Sequence, residues 1–311
     1  MITILSGGVG GAKFAAGVQA AVSEEEELVV IVNTADDEEF YGLHVSPDID
    51  TVTYTLAGLG DWDRGWGIKE DTFNCNEMLG RLDLENWFKI GDKDLALNLL
   101  RTKLLRKGYR LSQVTERIRK ALEIRARILP MTDDPIRTMV ETEIGVLRFQ
   151  EYFVKHGYRF EAKRIWFEGL EKAEPLPEAI HAVHESDIIA IAPSNPIVSI
   201  GPILGLKGFR DALRKSSATK IAISPLIGGK TIKGPADKML QMLGVEPTSY
   251  GVYTLYRDII DTMIIDLEDR ELASKIEAEG KQCLVLATRM NTRQDSQRLA
   301  SQILTRIRKL S

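Results

Sequence analysis

The sequence predicts an α/β protein: a doubly wound, mostly parallel Rossmann-like sheet carrying a largely helical insertion. Three observations lead there. The chain opens on a short apolar run, Met1-Ile-Thr-Ile-Leu5, which meets the glycine-rich stretch Ser6–Lys13 and then helix-forming residues. That is the layout of a strand, a tight loop and a helix N-terminus. Further apolar runs follow at Leu28–Asn33, Asp187–Ala192, Thr219–Ser224, Thr262–Asp266 and Gln282–Ala287, and such runs mark strands covered on both faces. Helical patterns over 12–22, 207–215, 235–243 and 291–309 alternate with them, as parallel sheets require.

The acidic stretch Ser23–Glu27 reads as a solvated turn before the second strand. The middle of the chain breaks the alternation. Residues 74–128 read as helix, with Ser112 as an N-cap and Val114, Ile118 and Leu122 repeating at i, i+4, i+8. Gly145–Gly169 is richer in β-branched and aromatic residues and reads as a hairpin. Pro175 and Pro177 mark a return linker. The expected organisation is a nucleotide-binding core of 1–64 plus 179–311, and an insertion of 65–178 that overhangs the carboxyl ends of the strands.

A chain of 311 residues suffices for one large α/β domain or two small ones. The net charge of −4 argues against a basic surface for nucleic acid. No apolar stretch reaches the roughly 18–20 residues of a membrane span. A strand at Met1 leaves no room for a signal peptide, and Cys75 and Cys283 have neither metal-ligand spacing nor a framework partner. The expectation is a cytoplasmic protein.

The candidate functional residues sit where the strands end. Gly7, Gly8, Gly10 and Gly11 let backbone N–H groups approach a phosphate, with Lys13 as its partner. The loop matches neither nucleotide fingerprint: Lys13 precedes Phe14 rather than Ser or Thr, and it stands where the dinucleotide pattern needs a third glycine. After the second strand come Asn33, Asp36 and Asp37; either acid suits a ribose hydroxyl or a cation. Asp48 and Asp50 are two apart, so in an extended segment they point the same way, as a Mg²⁺ site or as a base and a ligand. Lys89, Asp92 and Asp94 cluster around Gly91, with Asp92 also readable as an N-cap. Asp133-Asp134-Pro135 starts a helix or, with Thr132, reaches a ligand. Ser194, Asn195 and Ser199 offer uncharged hydrogen bonds to a base or a phosphate, and Lys230 or Lys233 would neutralise one. Trp62, Trp66 and Trp87 would stack on a flat ring or pack in a core. The basic stretch Arg101–Arg110 reads as a solvated helix face.

In combination, Ser6–Lys13, Asn33-Thr-Ala-Asp-Asp37, Ser46-Pro-Asp-Ile-Asp-Thr51, Lys89-Ile-Gly-Asp-Lys-Asp94, Asp133-Asp-Pro135 and Pro193–Ile203 resemble one family. It is the CofD family, the 2-phospho-L-lactate transferases of coenzyme F-420 biosynthesis, and the likeness runs from residue 1 to about 265. The resemblance implies transfer of a phospholactyl group from lactyl-diphospho-guanosine, or its phosphoenolpyruvate-derived analogue, to the ribityl hydroxyl of the deazaflavin Fo. GMP leaves and Mg²⁺ is required. It puts Fo on Asp50 and Lys89, beside which we place Trp66 and Asp92. The guanosine diphosphate then falls to the glycine loop, Asn33, Ser194 and Asn195, and the metal to Asp48 and Asp50, which become the catalytic pair. A homodimer is also suggested. A sister group, the YvcK-like regulators, binds nucleotide-sugars without this transfer and resembles Gly-Asp-Ile-Arg-Asn where this chain has Ser46–Thr51. The broken dinucleotide pattern disfavours a nicotinamide oxidoreductase.

Overall fold

The computed structural model describes residues 1–232 and 234–309. Seven strands build the central sheet: β1 (Ile2–Ser6), β2 (Leu28–Val32), β3 (Arg127–Pro130), β4 (Ile188–Ile191), β5 (Thr219–Ile223), β6 (Thr262–Asp266) and β7 (Gln282–Leu286). Their order is β7-β6-β5-β4-β1-β2-β3, and every pairing is parallel. The expected fold class is therefore the observed one.

Period-2 side chains divide the core between the two faces. Leu5, Val29 and Ile31 join one cluster, and Ile2, Ile4, Val30 and Val32 the other. On the second face lie α1 (Gly8–Ala21) and, at the far end of the chain, a helix over Arg293–Ile307. Gly17 allows them to touch, because a Cβ there would overlap the Ser296 backbone. The other face is covered by helices that include Pro177–Glu185 and Phe209–Lys215. Pro177 occupies the first turn of its helix, so a proline expected to mark a linker instead starts a helix, where its missing N–H costs nothing.

The chain winds outward from β1 to β2 and β3, then returns to β4 on the other side of β1. This reversal opens a crevice at the carboxyl ends of β1 and β4.

The expected insertion is not one unit. β3 lies inside it, yet pairs with β2 as the sheet edge, Val30 against Ile128. It is four residues long, follows a helical pattern and ends on Pro130, which an edge strand tolerates. Before it come α2 (Pro47–Leu56), α3 (Asn74–Arg81), α4 (Asp92–Leu105) and α5 (Leu111–Ala121). After it comes a three-stranded antiparallel sheet. Gly145–Arg148 and Arg164–Glu168 do not form the expected hairpin with each other; both pair with Arg137–Thr142 between them. That middle strand alternates buried and half-buried residues, a short period-2 signal hidden behind Asp133-Asp134-Pro135. Among the described residues no helix is long and apolar enough to cross a membrane.

Candidate active site

The glycine loop is shaped first by its neighbour in the fold. A Cβ on Gly10 would overlap the Pro193 carbonyl, one on Gly11 the hydroxyls of Ser6 and Ser194, and one on Gly7 the side chain of Ser199. Three of the four glycines thus let the β1–α1 turn lie against the loop after β4. Ser194 Oγ accepts the Gly7 N–H at 3.1 Å. Asn195 folds its own loop, its Oδ1 accepting from the Ile197 and Val198 N–H groups. Gly8 alone needs positive φ, +61°. The first-turn N–H groups of α1 have no acceptor within the helix, and with the helix dipole they favour an anion at this seam.

Asp48 and Asp50 do not point the same way. Pro47 starts α2, and residues two apart on a helix face directions about 200° apart. Asp48 turns to the seam: its Oδ1 accepts the Gly8 N–H at 2.8 Å and its Oδ2 accepts from Asn33 Nδ2 at 2.9 Å. Asn33 Nδ2 also lies 3.3 Å from Asp36 Oδ2 and from the Val198 carbonyl, so Asn33 ties β2, α2 and the β4 loop together. Burial raises the Asp48 carboxyl to about 6, with Asn33 and Gly8 opposing. Burial, and then Asp48 itself, push Asp36 well above the carboxylate range.

Ser6 Oγ, Thr34 Oγ1, Asp36 Oδ1 and Asp37 Oδ1 are buried here without a hydrogen-bond partner among the described residues. No group of three or more His, Cys, Asp or Glu among those residues could by itself hold a metal ion. Magnesium needs less, since one or two carboxylates and the substrate's phosphates suffice. Asp48, crowded by other acids and next to the helix N-terminus, fits that part. Asp50 does not.

Asp50 turns to α4. Arg101 donates to both of its oxygens, Nη1 to Oδ2 at 3.1 Å, and also to Asn98 Oδ1 at 2.7 Å and the His44 carbonyl at 3.3 Å. Arg101 is only 1% exposed, so the expected solvated face fails at its first residue. Burial raises Asp50 while the guanidinium opposes it. Asp94 Oδ1 accepts from Tyr54 and Asn98 at 2.5 and 2.8 Å, and burial next to Asp50 lifts its carboxyl to about 7. The signal for Arg101 was the polar stripe Asp94, Asn98, Arg101, at i, i+4, i+7 on one side of α4.

Lys13 Nζ donates to the Met290 carbonyl at 3.2 Å and lies 4.9 Å from the centre of the Trp62 ring. It shares a crevice with Thr51, Thr55 and Trp66; Trp66 is 42% exposed under the Arg64 guanidinium. Trp66 is thus grouped with Lys13, while Lys89 and Asp92 both bind α3. Lys89 Nζ donates to Asn76 Oδ1 at 3.0 Å, next in sequence to Phe88, which stacks on Phe40. Asp92 caps α3, not α4: it accepts from Thr72, from the Asn74 N–H and side chain, and from the Cys75 N–H. Those bonds, Thr72's first, lower its carboxyl to about 2. Asp71 takes the Lys93 and Asp94 N–H groups in the first turn of α4 instead.

Ser112 is inside α5 rather than its N-cap, and donates to Asp133. Thr132 spends its hydroxyl on the Glu174 carbonyl. Asp133 and Asp134 precede a strand, not a helix. Lys230 is exposed in a small ladder turned by Gly228 and Gly229, and Lys233 lies outside the described residues.

Residues 2–305 match the family described as 2-phospho-L-lactate transferase CofD. A 2-phospho-L-lactate transferase of Methanocaldococcus jannaschii is 39% identical over 98% of this chain and 97% of its own. A phosphoenolpyruvate transferase of Kitasatospora aureofaciens is 39% identical over 91% of this chain and 90% of its own. The crystal structure of a UPF0052-family protein from Bacillus halodurans matches with a TM-score of 0.62 over 97% of this chain and 98% of that one, at 18% identity, a likeness of fold.

Proposed function

The chain belongs to the CofD family, and on that premise we propose that it transfers a phospholactyl group, or its phosphoenolpyruvyl analogue, from a guanosine-diphosphate-linked donor to the terminal ribityl hydroxyl of Fo, releasing GMP. The observation that carries this reading is the seam between the β1–α1 turn and the β4 loop, where a helix N-terminus and the raised carboxyl of Asp48 meet at the switch point of the sheet.

The reaction is a direct phosphoryl transfer, in which the hydroxyl oxygen attacks the phosphorus next to lactate and GMP departs. The N–H groups at the start of α1 bind the diphosphate. Gly8 and Asn33 hold Asp48 in one orientation. Asp48 is the residue to hold Mg²⁺, which when bound offsets the charge that develops on the diphosphate. The acceptor side falls to Asp50, held by Arg101, and to Lys89. Fixed donors and positioning supply most of the acceleration.

The test is a fluorescence titration of Fo into the protein with Mg²⁺, with and without GDP, followed by GMP release from each of the two donors. Saturable Fo binding and one GMP per product are expected. Failure to bind Fo, with binding of UDP-sugars instead, would replace this reading by the regulatory one. A homodimer is part of the proposal, and light scattering measures it.

A further inference from the structure

α3 buries a single residue, and that residue is polar. Asn76 is 1% exposed, while Met78 in the same helix is 50% exposed. A helix docked for stability alone turns its apolar side chains inward; α3 turns in an amide. Asn76 Nδ2 donates to the Phe88 carbonyl at 3.1 Å and lies 3.4 Å from the Tyr41 hydroxyl. Its Oδ1 accepts from Lys89 Nζ at 3.0 Å, and its own carbonyl accepts from Asn86 Nδ2 at 3.3 Å. These bonds to 86–89 anchor Asn76 beyond the Asp92 cap, which holds Asn74 and Cys75.

Tyr41 holds the same carbonyl, its hydroxyl donating to Phe88 at 3.1 Å. It does so from the turn Tyr41-Gly42, which joins the paired strands Glu38–Phe40 and Leu43–Val45, and its φ there is +55°. A bulky residue is rarely kept in that region without a tertiary reason, and the bond to Phe88 is one. The second strand of the hairpin reaches α4. The His44 N–H donates to Thr102 Oγ1 at 2.8 Å, and the His44 carbonyl accepts from Arg101, which grips Asp50. One hairpin therefore ties Asp50 and the Lys89 segment to a common frame. Phe88 stacks on Phe40 and Ile90 is buried, so the chain is fixed on both sides of Lys89.

Lys89 itself is exposed, and among the described residues it has no carboxylate partner. A lysine side chain ordinarily samples many rotamers. The Asn76 amide carries no charge, so it orders the ammonium without neutralising it. We propose that Asn76 is a positioning residue for the acceptor: it sets Lys89 Nζ, and with Tyr41 the backbone at Phe88, in the orientation in which the cation meets Fo. The proposal rests on the acceptor reading of Lys89 given above and adds what holds that cation before the substrate arrives. Ordering completed in the free protein leaves less entropy to lose on binding.

A double-mutant cycle of Asn76→Ala and Lys89→Met in the intact protein tests it, read by fluorescence titration of Fo with calorimetric titration of GDP as the control. Asn76→Ala is expected to weaken Fo on the order of tenfold, the worth of a hydrogen bond to a charged group, and to raise KM for Fo more than it lowers kcat. In the Lys89→Met background the same substitution should change Fo affinity by less than about twofold, because Asn76 acts through Lys89. GDP affinity stays at the wild-type value throughout. Tyr41→Phe keeps the ring and removes only the hydroxyl. It should show a smaller loss with the same dependence on Lys89, and it decides the matter if Asn76→Ala folds poorly. No loss of Fo affinity, an equal loss in both backgrounds, or a parallel loss of GDP affinity makes Asn76 a structural residue and overturns the inference while the acceptor reading of Lys89 stands. Unchanged Fo affinity in Lys89→Met, or no Fo binding to the wild type, overturns both.

Discussion

Asp48 and Asp50 stand two residues apart on one turn of α2 and occupy opposite electrostatic surroundings. Asp48 faces acids: Asp36 and Asp37 share its burial, and among the described residues the donors that reach it, the Gly8 N–H and Asn33, are neutral. Asp50 faces a cation that grips both of its oxygens. Charge on the Asp50 side is balanced inside the protein. On the Asp48 side it is not, and that imbalance is what a cation with a bound diphosphate would relieve. Like residues at a fixed spacing therefore carry different work, and four ways of breaking the comparison follow.

The largest effect is expected at Arg101. Arg101→Met strands the buried Asp50 carboxylate, and urea unfolding should show a loss of about 3–5 kcal/mol, the cost of breaking a buried pair. A variant as stable as the wild type would mean that Asp50 is not compensated internally after all. Next is Gly10→Ala, whose new methyl meets the Pro193 carbonyl. It should lose about 1–3 kcal/mol in the same assay and weaken GDP binding, because the α1 N-terminus is pushed off the β4 loop.

Asp48→Asn should act in the other direction. The Asp48 carboxyl is raised from 3.8 to about 6, so the folded state holds its proton more tightly than the unfolded chain does. Its ionisation costs stability progressively as pH rises from about 4 to about 6, and by a constant amount above that. The neutral variant should lose this slope and be more stable than the wild type at pH 7 by up to about 3 kcal/mol, less the hydrogen bond lost where its amide meets the Asn33 amide, with transfer activity abolished. A variant with the wild-type pH slope would remove Asp48 from the uncompensated side. The smallest effect belongs to Asp92→Ala. It removes the cap of α3, so a slight drop in melting temperature with unchanged Fo affinity is expected. A clear loss of Fo affinity would return Asp92 to the acceptor side, where the sequence had put it.

Six of the seven sheet strands were legible because each is a local apolar run, and burial on both faces selects such runs directly. β3 was not, because four residues ending in proline carry too little period to stand out from the helical pattern before them. The glycine loop was legible as a strand–loop–helix junction. That Gly7, Gly10 and Gly11 are demanded by the β4 loop was not, since that loop lies far along the chain, with Ser194 187 positions after Gly7. Arg101 was hidden for a related reason: a basic residue on a helix is usually solvated, and its partner lies 51 positions earlier.

By itself the sequence determined the alternation of buried strands and helices, the glycine turn directly after β1, and the set of acids and small polar residues at the strand ends. These are local, and apolar period, turn chemistry and position along a strand report them without knowledge of neighbours. Only the tertiary structure decided which acid meets an arginine and which meets other acids, and which glycines face a loop rather than a ligand. Charge balance and close approach depend on groups brought from distant positions, such as Gly8 and Asp48, 40 residues apart, and no local pattern encodes a partner that the fold alone supplies.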